Sequence, residues 1–595
     1  MEKKYYTNER NAQILISLLK QYNIKKIIAS PGSSNKGFVG SVQQDLWFEM
    51  YSCVDERSAA YLACGLSAET KEPVVLTCTG ATASRNYLPG LTEAYYRKLP
   101  VLAVTSHRGD FSIGHLIDQT IDRRQRPNDI AVEGVTLPFV NSDDDEYYCM
   151  IEANKALAAL TLNGGGPVHI NLFTAYSTDF SVKVLPLAKK IKRYTIFDKL
   201  PELSAKGRIA IFVGSHNDFS EREINAIENF CSSNNAVVFC DHTSGYRGKY
   251  SINLELVCCQ KHYKSINTDI NLLIHIGEVT GCYHPNGKKV WRVSEDGAFR
   301  DPFRALDSVF MMPEFAFFEH YSRIGENNDQ YLNSCKEEYE YAVSQLPELP
   351  FGNAWIAQKY ISKLPKGTQL HLGIYNSLRS WNFFRLPENV FGKCNVGGFG
   401  IDGGVSTLIG ASFANPTKLY FGVFGDLAFF YDMNVLGNRH VGKNIRLMII
   451  NNGRGTEFRL YGHPCAIFGD AADPYMAAAG HYGQQSPDLL RHFSKDLGFE
   501  YLSASSKEEF HVAAEKFYSS EIFDKPILLE VFTNSKDESD ALEIIQNALT
   551  DKKMVLKEQC KDVVRKAVPS SILKAVHQFI PLIPQHYNLI FFIST

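Results

Sequence analysis

Two polar residues 26 positions apart carry the most chemical content in this sequence: Asp426, within Gly425-Asp426-Leu427, and Asn452, within Asn451-Asn452-Gly453. Each closes an apolar run of strand character, KLYFGVFGD and IRLMIINNG, so both fall at strand ends and meet if the strands are parallel neighbours. A carboxylate, an amide oxygen and a backbone carbonyl such as that of Arg454 suit an octahedral Mg²⁺ that also takes phosphate oxygens. On spacing alone, the same residues read equally well as two separate polar strand ends and a Gly-rich turn. A second candidate is Glu56, which opens a helix in VDERSAAYLACGLSAET with Ala59, Ala60, Ala63 and Leu66 on its inner face. A carboxylate at the head of a buried face needs a specific partner. An acid at a helix start is also favoured by the helix dipole with no function at all.

The elements that must position these residues are α/β units. KKIIAS, EPVVLTCTG, PVLAVTS and GPVHINL read as strands in the first third, GRIAIFVGS, NAVVFCDH, NLLIHIGEVTG and KKVWRVSEDG in the middle, and TQLHLGIYNS, KLYFGVFGD, IRLMIINNG and PILLEVFTN in the last. Helical stretches such as NAQILISLLKQY lie between several of them. This pattern predicts three consecutive doubly wound parallel-sheet domains of α/β class with a helical C-terminal extension. Linkers are expected near 180–205 and 336–352, and helices over SKDESDALEIIQNAL and from about Lys552 to Ala567. Ser33, Gly80 and Ser106 fall at carboxyl ends of strands, where such sheets bind ligands.

The 595 residues carry a formal net charge of −3, which argues against a nucleic-acid binder. Hydrophobic residues at 45% exclude a long disordered chain. The start, MEKKYYTNERNAQ, has no apolar segment behind its charges, and no stretch reaches membrane-spanning length. The tail FIPLIPQHYNLIFFIST is greasy but interrupted, and reads as a docking segment. The 13 cysteines show no ligand spacing, which fits a reducing, cytoplasmic setting.

Taken together and in order, these stretches resemble the thiamine diphosphate enzymes of the decarboxylase type. The resembling segments are Ser30-Pro31-Gly32-Ser33, Asp55-Glu56-Arg57-Ser58-Ala59-Ala60, Cys78-Thr79-Gly80, Asn86-Tyr87 with Pro89, Gln119-Thr120-Ile121-Asp122, Gly400-Ile401-Asp402-Gly403 with Ser406-Thr407, and Gly425-Asp426-Leu427 with Asn451-Asn452. They span roughly residues 10–535, and are most similar to the 2-succinyl-5-enolpyruvyl-6-hydroxy-3-cyclohexene-1-carboxylate synthase branch of menaquinone biosynthesis. The resemblance implies a pyrimidine-binding domain over 1–185, a central Rossmann-like domain over 186–350, a diphosphate-binding domain over 351–535 and the extension over 536–595. It implies thiamine diphosphate and Mg²⁺ as cofactors. Glu56 would hydrogen-bond the cofactor's pyrimidine nitrogen, and Gln119 would lie near the reacting carbon. Gly80, Ile401, Gly425, Asp426, Leu427 and Asn452 would hold the cofactor, with Asp426, Asn452 and the Arg454 carbonyl on the metal. Ser33 and Arg108 match polar positions facing substrate. Subunits of the family share active centres, so a homodimer or homotetramer is implied.

The sequence departs from that branch where the branch binds substrate carboxylates with basic residues. Ser34 stands for an Arg, Cys282 and Tyr283 for a Lys-Arg pair, and Val396 for an Arg; near Trp381 an Arg is displaced to Arg379. Arg108 remains, and Glu457 occupies an apolar family position. Arg suits bidentate carboxylate binding, so this pattern predicts a 2-oxo-acid decarboxylase or carboligase whose acceptor is not isochorismate. Asn35, Lys36, His107, His115, Asp118, Arg379, Trp381, Glu457 and His463 are the candidates for new contacts, most of them with an equally simple reading as surface or packing residues. The authentic synthase and a non-catalytic cofactor-binding scaffold are the alternatives.

Overall fold

The structure, a computed structural model, describes residues 5–203, 207–322 and 328–551. The expected helix from Lys552 and the greasy tail lie outside the described residues. The described chain forms two compact units, one reaching to Leu200 and including Asp296–Met311, the other Pro201–Glu295 and the chain from Met312 onward.

In the first unit, strands β1 (Lys26–Ala29), β2 (Glu49–Ser52), β3 (Val74–Cys78), β4 (Val101–His107), β5 (Glu133–Leu137) and β6 (Val168–Phe173) form one sheet. Its order is β2-β1-β3-β4-β6-β5 and every pairing is parallel. Strands β3, β4 and β6 are buried at every position, as expected where helices cover both faces. Helices Arg10–Gln21 and Asp143–Ala159 contribute to the core on one side, and Glu56–Thr70 and Leu88–Tyr96 to a second cluster. Strand β7 (Lys192–Thr195) pairs in parallel with β13 (Leu306–Met311) in the same unit.

In the second unit, β8 (Ile209–Val213), β9 (Ala236–Cys240), β10 (Ser251–Ile252), β11 (Leu272–Ile276) and β12 (Val290–Val293) run in the order β10-β9-β8-β11-β12. The same unit holds β14 (Gln369–Leu372), β15 (Phe391–Cys394), β16 (Tyr420–Gly425), β17 (Ile445–Asn451), β18 (Glu500–Ala504) and β19 (Ile527–Phe532), ordered β15-β14-β16-β17-β19-β18 and all parallel. Helix Ser535–Gln546 follows, capped by the Asn534 side chain on the Asp537 amide. The polar stretch expected as a linker over 336–352 is in large part helix Gln330–Ser344, whose Tyr331, Leu332, Cys335, Tyr339 and Ala342 are buried. Apolar residues at helical spacing among the Glu and Lys account for this. No helix among the described residues is long and apolar enough to cross a membrane.

Helix Glu56–Thr70 is held close to its neighbour by a glycine. A Cβ added to Gly90 would lie 2.4 Å from the Ala60 Cβ and 2.9 Å from the Ala60 carbonyl carbon. Gly90→Ala is therefore expected to destabilise the protein by about 1–3 kcal/mol through overpacking. Denaturant unfolding checks this, and an unchanged midpoint would show that the two helices separate freely.

Candidate active site

The first unit gathers one set of candidate residues at the carboxyl edge of β1, β3 and β4. Glu56 is the first residue of its helix, which is capped by the Asp55 carboxylate accepting from the Arg57 and Ser58 amides at 3.3 and 3.2 Å. The cap uses Asp55, so the half-buried Glu56 keeps its carboxylate for another partner. Asn86 Nδ2 donates to Glu56 Oε2 at 3.1 Å. Gly80 ends the turn after β3, and a Cβ there would lie 3.1 Å from the carbonyl oxygens of both Ser106 and Gln119. That close approach brings Gln119, which is exposed and has φ +54°, to the same edge.

The predicted polar positions of this set divide sharply. Arg108 donates through Nη1 and Nη2 to the two carboxylate oxygens of Asp118, each at 3.0 Å, and through Nε to Tyr176 Oη at 3.0 Å. His107 is buried, stacked on Phe173 with centroids 5.1 Å apart, and its Nδ1 accepts the Gly109 amide at 2.8 Å. Burial, then the Arg123 charge, lowers its pKa, which suits a neutral turn-fixing imidazole. Ser33 and His115 are exposed. Ser34 is buried, and Asn35 Nδ2 donates to the Ser30 carbonyl at 3.1 Å; Lys36 begins helix Lys36–Val42.

The second unit carries a separate set of candidate residues on β16 and β17. Their parallel register pairs Gly425 with Ile450, so Asp426 and Asn451-Asn452 leave the sheet side by side. Asp426 is 3% exposed, and its Oδ2 accepts the Gly453 amide at 2.8 Å. Burial pushes its carboxyl up to about 7, against the pull of backbone amides. Gly453 turns the chain at φ +74°, a conformation that favours glycine. The turn is braced from several sides. Asn451 Nδ2 donates to Glu530 at 2.6 Å, Tyr501 Oη to the other Glu530 oxygen at 2.8 Å, and Gln485 Nε2 to the Asn451 carbonyl at 2.7 Å. The Arg454 guanidinium donates to Asp473 at 2.8 Å. Leu427 and Ile401 are half-buried, Ile401 in the loop before Gly403, which has φ +76°.

A buried carboxylate with amide donors and no cationic side chain pulling on it is what a bound cation would neutralise. Asp426, Asn452 and the Arg454 carbonyl fit a hard divalent ion in that respect. In the first unit, the half-buried Glu56 carboxylate fits a heterocycle that hydrogen-bonds to it.

Of the remaining candidates in the second unit, Trp381 is fully buried and its Nε1 donates to Asn353 at 2.9 Å, a packing role. Arg379 and Glu457 form a bidentate pair at 2.8 and 3.0 Å. His463 lies beside Phe458, with centroids 5.3 Å apart, and its Nδ1 accepts the Cys465 amide at 3.1 Å.

Sequence reasoning passed over two buried charged residues. Arg123 is 4% exposed, donates from Nη2 to the Ser106 carbonyl at 2.7 Å, and burial brings its pKa down to about 10. It belongs to the run RRQR, which looks like an ordinary solvated stretch. Glu255 is 3% exposed with no well-formed hydrogen bond to either oxygen, and burial drives its pKa well above the carboxylate range. Nothing in NLELVCCQ distinguishes Glu255 from a helix-start acid.

Residues 10–125 match the family described as thiamine pyrophosphate enzyme, N-terminal TPP binding domain. The chain thus resembles the thiamine diphosphate-dependent enzymes of the decarboxylase type. Within that class it is similar to proteins named 2-succinyl-5-enolpyruvyl-6-hydroxy-3-cyclohexene-1-carboxylate synthase. The one from Phocaeicola vulgatus is 28% identical over 572 residues, covering 92% of this chain and 100% of the relative. The one from Bacteroides fragilis is 29% identical over 570 residues, covering 90% and 98%. The one from Flavobacterium johnsoniae is 27% identical over 549 residues, covering 88% and 96%. A solved thiamine diphosphate-dependent 4-hydroxybenzoylformate decarboxylase from Rhodococcus jostii RHA1 covers 88% of this chain and 99% of its own at 17% identity, with a TM-score of 0.37. That likeness is too weak to bear on the site.

Proposed function

We propose that the protein is a thiamine diphosphate- and Mg²⁺-dependent 2-oxo-acid decarboxylase or carboligase whose acceptor is not isochorismate. The observation that carries this reading is the state of Arg108 and Arg379, the arginines at or beside the branch's carboxylate-binding positions. Arg108 is held bidentately by Asp118 and Arg379 by Glu457. An arginine fork already closed on a carboxylate has little left for a substrate carboxylate. Branch positions that would supply further cations hold Ser34, Cys282, Tyr283 and Val396.

When bound, thiamine diphosphate supplies the nucleophilic carbon and the electron sink for loss of CO₂. Glu56 would hold the hydrogen bond to the pyrimidine nitrogen, with Asn86 fixing the carboxylate's orientation. Gly80 would lie against the pyrimidine, and Ile401 and Leu427 would set the cofactor's bend and exclude water. Asp426, Asn452 and the Arg454 carbonyl would hold Mg²⁺ and through it the diphosphate. Gln119 would place a polar group near the reacting carbonyl, and Ser33 near the donor. The working form is at least a homodimer, in the cytoplasm, with the domain boundaries set out above.

A second reading is the authentic synthase of menaquinone biosynthesis, favoured by similarity that runs along nearly the whole of the named relatives. A non-catalytic scaffold is disfavoured by Glu56, which binding alone does not require. CO₂ release with thiamine diphosphate, Mg²⁺ and a panel of 2-oxo acids separates these. Release from pyruvate or another monocarboxylate is expected. Turnover of 2-oxoglutarate with isochorismate, and of no other donor, would establish the second reading.

A further inference from the structure

The Arg379–Glu457 pair has the geometry with which a binding site holds a substrate carboxylate. The two N–H···O contacts are 2.8 and 3.0 Å, and the side chains are 10% and 11% exposed. Glu457 follows in the turn that carries Asn452 and Arg454, inside the single 3-10 turn Thr456–Arg459. Arg379 comes from helix Asn376–Asn382, beyond the carboxyl end of β14. The pair therefore ties two sheet-edge segments of one domain together beside the candidate metal turn. Tyr283 and His463 lie within electrostatic reach of it, and so does Glu255. Burial pushes the Glu255 carboxyl well above its ordinary range.

We propose that Glu457 is an internal surrogate for a substrate carboxylate: it fills the carboxylate subsite of Arg379. The part of the substrate that reaches this cluster then carries hydroxyl or carbonyl groups and no charge. A second carboxylate entering here would leave one of two carboxylates without its cation in a poorly solvated place, which is strongly unfavourable. Tyr283 and His463 offer neutral polar atoms of the kind that suit an uncharged, oxygen-rich chain. This assignment rests on the thiamine-enzyme reading above and names the substrate class for one of its subsites.

The test uses glutarate, an unreactive dicarboxylate, titrated calorimetrically into the full chain loaded with thiamine diphosphate and Mg²⁺. Glu457→Gln is expected to bind glutarate at least about tenfold more tightly than the wild type, as one freed charge-assisted contact implies. The double variant Glu457→Gln with Arg379→Gln is expected to lose that gain. A folded Glu457→Gln protein with wild-type affinity for glutarate would overturn the proposal, as would a gain that survives loss of Arg379. Should Glu457→Gln not fold, the wild type decides by itself. CO₂ release from 5-hydroxy-2-oxopentanoate should exceed that from 2-oxoglutarate by about tenfold or more in kcat/KM, and the reverse order overturns the proposal. Failure of the broader reading looks different: no CO₂ from any 2-oxo acid, whatever glutarate does.

Discussion

Glu56→Gln lowers CO₂ release by about 10²–10⁴-fold, the range expected when a positioned proton-transfer group is removed. The substitution is close to isosteric and leaves the Asp55 cap untouched, because the cap contacts run from Asp55 to the Arg57 and Ser58 amides. Asn86 can still donate to the amide oxygen that replaces Glu56 Oε2. Folding and cofactor affinity should therefore change little, and the loss should appear in kcat. Steady-state CO₂ release at saturating thiamine diphosphate and Mg²⁺, paired with calorimetric cofactor binding, measures both. Activity within about tenfold of the wild type would remove Glu56 from the chemistry and revive the scaffold reading.

Asp426→Asn is expected to have opposite effects on the metal-free and metal-loaded protein. Without metal, Asp426 is a buried acid whose pKa in the folded protein, about 7, stands above its ordinary 3.8. The folded state then binds the proton more tightly than the unfolded chain does. Below about pH 4 both states are protonated and the residue has no linkage effect. As pH rises from about 4 to about 7 the apo protein loses stability, by up to a few kcal/mol, and the loss is complete above that. Asparagine cannot ionise, so apo Asp426→Asn should be the more stable protein at pH 8 and nearly equal at pH 4. With saturating Mg²⁺ and thiamine diphosphate the order reverses, because the variant lacks an anionic ligand and its metal affinity falls by about 100-fold or more. Thermal unfolding at the two pH values, with and without the ions, should show the curves crossing. A variant that retains wild-type Mg²⁺ affinity would remove Asp426 from the metal site.

The strands read from the sequence were those buried on both faces. In the first sheet they are β1, β3, β4 and β6, the four interior strands, and the unread ones are the edges β2 and β5. The last sheet repeats this: β14, β16, β17 and β19 are interior, while β15 and β18 lie at the edges. An interior strand of a parallel sheet shows as a continuous apolar run. Edge strands such as Glu49–Ser52 are largely exposed and have no such signal. The same difference explains helix Gln330–Ser344, whose apolar face is diluted by charged residues on its outer side.

The two sets of candidate residues divide in the same way. The strand-end positions of Asp426 and Asn452 were legible because each ends an apolar strand, and the parallel register then places those ends side by side. Glu56 was legible as an acid at the head of an alanine-lined helix. The fates of Arg379, Glu457, Arg108 and Asp118 were not, because partners 78 and 10 residues apart leave no local pattern. Trp381 and His107 carried both a ligand-contact and a packing reading in the sequence; the structure shows both buried, with His107 accepting the Gly109 amide.

By itself, then, the sequence determined the α/β layering, the strand ends that gather polar residues, and the cofactor class those residues resemble. These depend on short-range periodicity and on the residue types at strand and helix termini. Only the tertiary structure decided which charges are open to a ligand and which are already closed on one another. Burial raises the pKa of Asp426 and Glu255 and lowers that of Arg123, and long-range pairing neutralises Arg108 and Arg379. Desolvation and pairing depend on what surrounds a group in space, which its neighbours along the chain do not specify.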